Sequence, residues 1–148
     1  MITKHVKVER VTEEMHLKAE FHPKPVKGDW NGSGLHTNFS NGNMRTMGGE
    51  ELFITICEAM GKRHNEAMQV YGSDNEQRLT GKHETQHIDE FTFGVSDRGA
   101  SIRIPIVVPE NDWTGYLEDR RPASNANPYD ITKEIVTVLN SINVAIYN

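Results

Sequence analysis

Only one cysteine, Cys57, occurs in these 148 residues. It can close no internal disulfide, which fits a reducing compartment. Long apolar runs are also lacking. Stretches such as VAIY at 144–147 fall far short of the roughly 20 residues a membrane-spanning helix needs. The opening ITKHVKVERVTEEM has no apolar core or cleavage pattern of a signal peptide, so a cytoplasmic location and no membrane partner are expected. Basic charge is not in excess: the net charge is −5, which argues against a general nucleic-acid binder. No internal repeat, low-complexity stretch or interdomain linker is visible. Neither GxxxxGK[ST] nor GxGxxG occurs, so neither a P-loop nor a dinucleotide fingerprint is present.

What remains is the composition of one soluble domain with a real core, at 36% apolar and 25% charged residues. Val8, Val11 and Met15 fall at helical spacing and predict a helix over roughly the first fifteen residues. Leu17, Ala19 and Phe21 alternate before HPKP, which predicts a strand ended by prolines. GLHTNFS extends from the glycine-rich GDWNGSG. From Gly48 to Gly72 the chain reads as one long amphipathic helix, with Leu52, Ile56, Met60, Arg63, Ala67 and Tyr71 near one stripe. Cys57 lies within it as a packing residue. FTFGV and SIRIPIVV have strand character. The last segment predicts a helix with Asp130 as N-cap and Ile131, Ile135, Val138 and Ile142 on its buried face. Helices at both ends and strands between them indicate an α+β domain spanning 1–148, its largely antiparallel sheet flanked by helices.

Four polar clusters stand out: GDWNGSGLHTN with His36, DNEQRLTGKHET with Arg78 and Glu84, SDRGASIRIP with Arg98 and Arg103, and GYLEDRRPASNANP with Glu118 and Arg120. Singly, each has an ordinary explanation. An arginine beside a carboxylate is usually a solvated ion pair, and a histidine in a glycine-rich turn is usually structural. Together they place several arginines beside glycines, prolines and strand ends, where side chains converge on a cleft. Arginine's planar fork suits phosphates and carboxylates. One imidazole with a few carboxylates suits Mg²⁺ or Mn²⁺ better than a structural zinc. The residues alone thus point to a site for phosphate plus metal.

In this order, KPVKGDWNGSGLHTNFSN, MRTMGGEE, RHNEAM, YGSDNEQRLTGKHET, FTFGVSDRGASIRIP and GYLEDRRPASNANPYDIT resemble the C-terminal catalytic part of glutamine synthetase of the eukaryotic type (type II), over about residues 8–135. The resemblance implies ATP-dependent ligation of ammonia to glutamate through a γ-glutamyl phosphate, with Mg²⁺ or Mn²⁺. It implies His36 and Glu118 as metal ligands. Asn38, Ser40, Arg98, Arg103 and Tyr116 would meet the nucleotide. Asp29, Trp30, Gly32, Arg78 and Arg120 would meet the substrate. Glu84, Arg98 and Arg120 would be catalytic, with Glu84 closing the site and taking a proton from ammonium.

The same resemblance implies an N-terminal β-grasp domain, and strands carrying most of the metal-binding glutamates, that these 148 residues do not contain. The chain is therefore expected to form a homo-oligomer, or a complex with a polypeptide supplying the missing half, and to be inactive alone. Ile106 stands where many relatives have a further arginine, His22 and Asn127 where aspartates are common. The alternative function is a non-catalytic relative that binds nucleotide, regulates a synthetase or builds an assembly.

Overall fold

A computed structural model describes residues 4–146. It is an α+β structure with a four-stranded mixed sheet. The opening helix, α1, runs Lys4–Glu14; residues 1–3 of the expected helix lie outside the described part. Val8 and Val11 on it, and Met15 just after it, are all exposed. The strand expected from Leu17 to Phe21 is not formed. Leu17 is exposed, and the following turn is fixed by side chains instead, with the Lys24 amide donating to His22 Nδ1 at 2.9 Å. Alternation alone makes no strand without a neighbouring backbone to pair with.

Four short strands follow: β1 Thr37–Phe39, β2 Phe93–Val95, β3 Ile102–Ile104 and β4 Leu117–Asp119. Their order is β1-β4-β3-β2. The β1–β4 and β4–β3 pairs are antiparallel and β2–β3 is parallel, so the sheet is mixed. Residues 96–101 make the parallel link. Strands of three residues advance only about 10 Å, a distance six residues easily recross. The expected strand SIRIPIVV stops at Ile104. Pro105 has no amide hydrogen for the ladder, and Val107–Glu110 turns into the short helix α5.

The region expected as one helix from 48 to 72 is two, α3 Glu50–Lys62 and α4 His64–Val70, preceded by the short α2 Gly42–Thr46. The break falls at Arg63 (φ −108°, ψ 18°), where the guanidinium turns to form a two-point ion pair with Glu134, Nε–Oε1 2.7 Å and Nη2–Oε2 3.0 Å. Just before it, Gly61 leaves room for the Phe91 ring, whose Cδ1 would sit 2.8 Å from any Cβ there. The final helix, α6, runs Pro128–Ile146, and residues 147–148 of the expected helix lie outside the described part. Its cap is not Asp130 but Asn127, whose Oδ1 accepts from the Tyr129 amide at 3.1 Å. Proline at the first helical position needs no hydrogen-bond partner, so Asn127-Pro128 starts the helix three residues earlier than expected.

One face of the sheet is the core. Ile102, Ile104 and Leu117 pack with Phe53, Ile56, Met60, Ile131, Ile135 and Val138 from α3 and α6. Cys57 lies inside, and burial pushes its thiol up to about 12, so it packs rather than reacts. Asp119 of β4 points into the same core, where it meets Arg121: Oδ1–Nε 2.9 Å and Oδ2–Nη2 2.8 Å. Tyr71 adds its hydroxyl to Asp119 Oδ2 at 2.8 Å, and the Arg121 guanidinium lies over the Tyr71 and Phe91 rings at 5.2 and 5.3 Å. His64 closes the group. Arg121 Nη1 reaches its Nδ1 at 3.4 Å, which makes Nδ1 the acceptor and leaves Nε2–H to donate to the Ile88 carbonyl at 2.8 Å. Burial, with Arg121 beside it, holds the His64 imidazole below its usual pKa.

Two outcomes follow from this buried group. Arg121→Met strands the Asp119 charge and should cost about 3–5 kcal/mol in urea unfolding, much of which Asp119→Leu restores in the double variant. His64 binds its proton less readily folded than unfolded. Stability is therefore full above the unfolded pKa of about 6.5 and declines as pH falls toward the folded value. The urea midpoint should drop on acidification from pH 8 to pH 5.5, and His64→Gln should flatten that dependence.

Candidate functional site

The opposite face of the sheet carries the polar residues. Side chains two apart along a strand share a face. Across β1, β4 and β3, Asn38 pairs with Glu118 and Glu118 with Arg103, so these three form one row. Stepping by two adds His36 and Ser40 beside Asn38, and Tyr116 and Arg120 beside Glu118. Seven of the thirteen residues singled out in the sequence thus lie on one face or its continuation.

Glu118 is the centre, 7% exposed. Its Oε1 lies 3.1 Å from His36 Nδ1. Its Oε2 lies 2.5 Å from Arg103 Nε and 3.4 Å from Arg120 Nη1. Arg78 adds a third guanidinium from behind. Its Nη2 donates to His36 Nε2 at 3.0 Å and to the Arg120 carbonyl at 2.7 Å, and its Nη1 donates to Asn75 Oδ1 at 3.3 Å and the Arg121 carbonyl at 3.2 Å. Burial, with Arg120 nearby, drops the Arg78 guanidinium to about 10, which leaves it charged at neutral pH. A guanidinium only donates, so His36 Nε2 is an acceptor and Nδ1–H donates to Glu118. Burial, then Arg120 and Arg78, hold the His36 imidazole below its usual pKa against the pull of Glu118. The imidazole is neutral near pH 7; Arg103 and Arg120 face the Glu118 carboxylate, and Arg78 lies on the other side of the imidazole.

Gly32 and Gly34 explain the glycine-rich stretch. A Cβ on Gly32 would lie 2.7–2.8 Å from Arg78 Cγ, Arg78 Cβ and the Pro23 carbonyl, and one on Gly34 would lie 2.5 Å from Arg78 Nη2. The backbone lies directly on the Arg78 side chain, which only glycine permits. Ser33 bonds Pro23 and Leu35 bonds Pro122 through backbone amides, at 2.7 and 2.9 Å, holding the stretch down on either side.

The other candidates form the rim. Arg120 Nη2 donates to the carbonyls of Arg98 at 2.7 Å and Glu84 at 3.1 Å, which ties both loops to the cluster by their backbones. The side chains of Glu84 and Arg98 project outward, 3.7 Å apart and more than half exposed. Glu84 and its neighbour His83 both have positive φ, 58° and 55°, a tight left-handed turn that these residue types adopt only when surrounding contacts impose it. One such contact is His83 Nε2 to Asp29 Oδ1, 2.8 Å, which lowers the Asp29 pKa. Trp30 is half exposed, its indole N–H donating to the Val26 carbonyl at 3.2 Å. Ser40 donates to the Gly115 carbonyl at 2.6 Å, next to Tyr116. Asp29 and Trp30 are thus not drawn into the Glu118 cluster.

Among the described residues, no group of three histidine, cysteine or carboxylate side chains could hold a metal. His36 and Glu118 adjoin, yet both histidine nitrogens and both carboxylate oxygens already have partners. The buried polar atoms left without a hydrogen bond in this cluster are Arg103 Nε, whose N–H does not point along its contact with Glu118, and Arg120 Nε. Both are donors. They call for an anion, and the residues present do not fit a divalent cation.

Asp119, Arg121, Tyr71 and Asn75, none of them among the residues expected at the site, form one network. The signal for it is in YLEDRR itself. Read with period two, Glu118 and Arg120 fall on one face and Asp119 and Arg121 on the other.

No family model matches the chain. Curated relatives do. The glutamine synthetase of Hebeloma cylindrosporum is 53% identical over 134 residues, 89% of this chain and 38% of the relative. That of Candida glabrata is 56% identical over 123 residues, 83% and 33%. That of Emericella nidulans is 55% identical over 130 residues, 88% and 36%. The chain spans little more than a third of the length of the relatives it matches.

Gly32→Ala tests the contact beneath the glycine stretch. The methyl group meets the Arg78 stem and a backbone carbonyl that cannot turn away, and overpacking of this kind costs about 1–3 kcal/mol. Thermal unfolding should show a lower midpoint, whereas an unchanged one would mean that the stretch does not rest on Arg78.

Proposed function

The chain belongs to the glutamine synthetase family, and from that premise we propose that it is a module of an ATP-dependent glutamate–ammonia ligase, completed by a polypeptide that brings further carboxylates. The observation that carries this is the convergence of Arg103 and Arg120 on Glu118, with Arg78 behind them on His36 and Arg98 at the rim. A phosphoryl group passing from ATP to a carboxylate spreads negative charge over its oxygens, and fixed guanidiniums in a partly buried site stabilise that charge without reorganising. The Nε donors of Arg103 and Arg120, which make no hydrogen bond, supply capacity for it.

Each residue then has a part. Arg103 and Arg120 face the transferred group, and Arg98 approaches it from the loop above. Asn38 beside Glu118, and Ser40 and Tyr116 one step along the same face, meet the nucleotide. Asp29, Trp30 and Gly32 form the wall beside the rim, where glutamate would enter. The four terminal N–H positions of Arg78 are all engaged within the chain, so a glutamate contact there requires one of them to exchange. Glu84 is exposed at the mouth, where a carboxylate can take a proton from ammonium and exclude water from an acyl phosphate. A divalent metal, where the family's chemistry takes one with ATP, supplies charge neutralisation at the phosphates. His36 and Glu118, engaged as they are, do not form its cradle.

That single carboxylate also favours a second reading, a non-catalytic relative that binds nucleotide or regulates a synthetase. One experiment separates the two. The chain is mixed with a polypeptide covering the remaining two thirds of a relative, association is verified by sedimentation, and glutamine formation is measured with ATP, Mg²⁺, glutamate and ammonia. Turnover is expected in the associated mixture, falling about 10²–10⁴-fold with Glu84→Ala, the usual range for a lost proton-transfer group. Association without turnover would overturn the ligase proposal and leave the binding role.

A further inference from the structure

The Glu118 cluster is richer in hydrogens to donate than in lone pairs to accept them. We infer that in this chain the cluster is closed to divalent cations by its own arginines, and that it takes a multiply charged oxyanion without one. A cation needs lone pairs, and every nitrogen and oxygen offered here already faces a partner within the chain. His36 Nε2 accepts from Arg78 at 3.0 Å. His36 Nδ1 carries its hydrogen toward Glu118 Oε1 at 3.1 Å. Glu118 Oε2 sits between Arg103 Nε at 2.5 Å and Arg120 Nη1 at 3.4 Å.

These contacts are not easily surrendered. Arg78 is only 4% exposed, is anchored to Asn75 and two backbone carbonyls, and lies under Gly32 and Gly34. To free its lone pair, His36 would have to leave a guanidinium that cannot follow it. Arg120 is likewise pinned through the carbonyls of Glu84 and Arg98. The balance of charge acts in the same direction. Arg78, Arg103 and Arg120 set three positive charges against the one negative charge of Glu118, so a divalent cation meets net repulsion and a dianion meets net attraction.

The unmet demand is all of one kind as well. Arg103 Nε and Arg120 Nε are buried donors without a hydrogen bond, and Arg120 is 9% exposed. An oxyanion oxygen satisfies such a donor and a metal ion cannot. Guanidinium charge thus stands where a metal ion's charge would otherwise neutralise phosphate. A cation entering with a nucleotide must be carried by the nucleotide's own phosphates or by carboxylates outside this chain.

The test uses the chain alone, stripped with EDTA, and two probes. Mn²⁺ is titrated while the free-ion electron paramagnetic signal and the His36 ring resonances are followed. Inorganic pyrophosphate is titrated by calorimetry, with EDTA and again with Mg²⁺. The expected result is no stoichiometric uptake of Mn²⁺ and no selective broadening of His36, together with pyrophosphate binding that EDTA leaves unchanged. Arg103→Ala should weaken pyrophosphate at least about tenfold, the loss of one charge-assisted hydrogen bond. If circular dichroism shows that variant unfolded, Arg103→Lys, which keeps the charge but not the Nε donor, replaces it and should also weaken binding. One equivalent of Mn²⁺ held by the chain and lost in His36→Ala would overturn the inference, as would pyrophosphate binding that requires metal or is indifferent to both Arg103 variants. A failed glutamine assay with the completing polypeptide would touch only the ligase proposal, since neither probe here depends on turnover.

Discussion

Asp119 and Arg121 meet inside the apolar core, and the positions of the other polar groups depend on that meeting. The pair is two-pronged, 2.8–2.9 Å, and almost wholly excluded from water. Removing two charges from water is expensive, and their attraction offsets the expense only when every remaining lone pair and hydrogen is satisfied. Tyr71 and the Arg121 amide supply further donors to Asp119, and Asn75 holds the Arg121 carbonyl at 2.8 Å. Such a network tolerates one arrangement of β4 and no neighbouring one. With Asp119 turned inward, alternation turns Glu118 and Arg120 outward. The core pair therefore sets which charges the cluster presents.

Arg78 links the two sides. Arg78 donates to the backbone carbonyls of Arg120 and Arg121 from β4's continuation and to His36 on β1's approach. The glycine stretch lies over it, so loop, strand and cluster share one buried side chain. Burial costs this guanidinium part of its preference for charge, as its lowered pKa records. Four hydrogen bonds compensate.

Much of this was legible in the sequence. The terminal helices, the β-branched strands and the stripe from Leu52 to Tyr71 follow from local periodicity, which local spacing alone encodes. The union of His36, Arg78, Arg103, Glu118 and Arg120 was legible only as an ordered set of motifs, because strand pairing between residues eighty apart leaves no trace in local spacing. What misled did so for physical reasons. Leu17, Ala19 and Phe21 alternate but join none of the four strands of the sheet. The break at Arg63 comes from its distant partner Glu134. LEDRR resembles a solvated charge run because composition does not record that a charge is buried when its counter-charge is two residues away.

The sheet ends, on either side, in a strand of three residues: β1 at one edge and β2 at the other. An edge this short exposes very few unpaired backbone groups, too few to template an added strand from another molecule. Fibrous growth through the edges is correspondingly disfavoured. A polypeptide seated against β1 would have to be recognised through its side chains rather than by lengthening the sheet. Specificity at that border would then reside in chemistry that substitution can alter, and not in the generic ladder that every extended chain can offer.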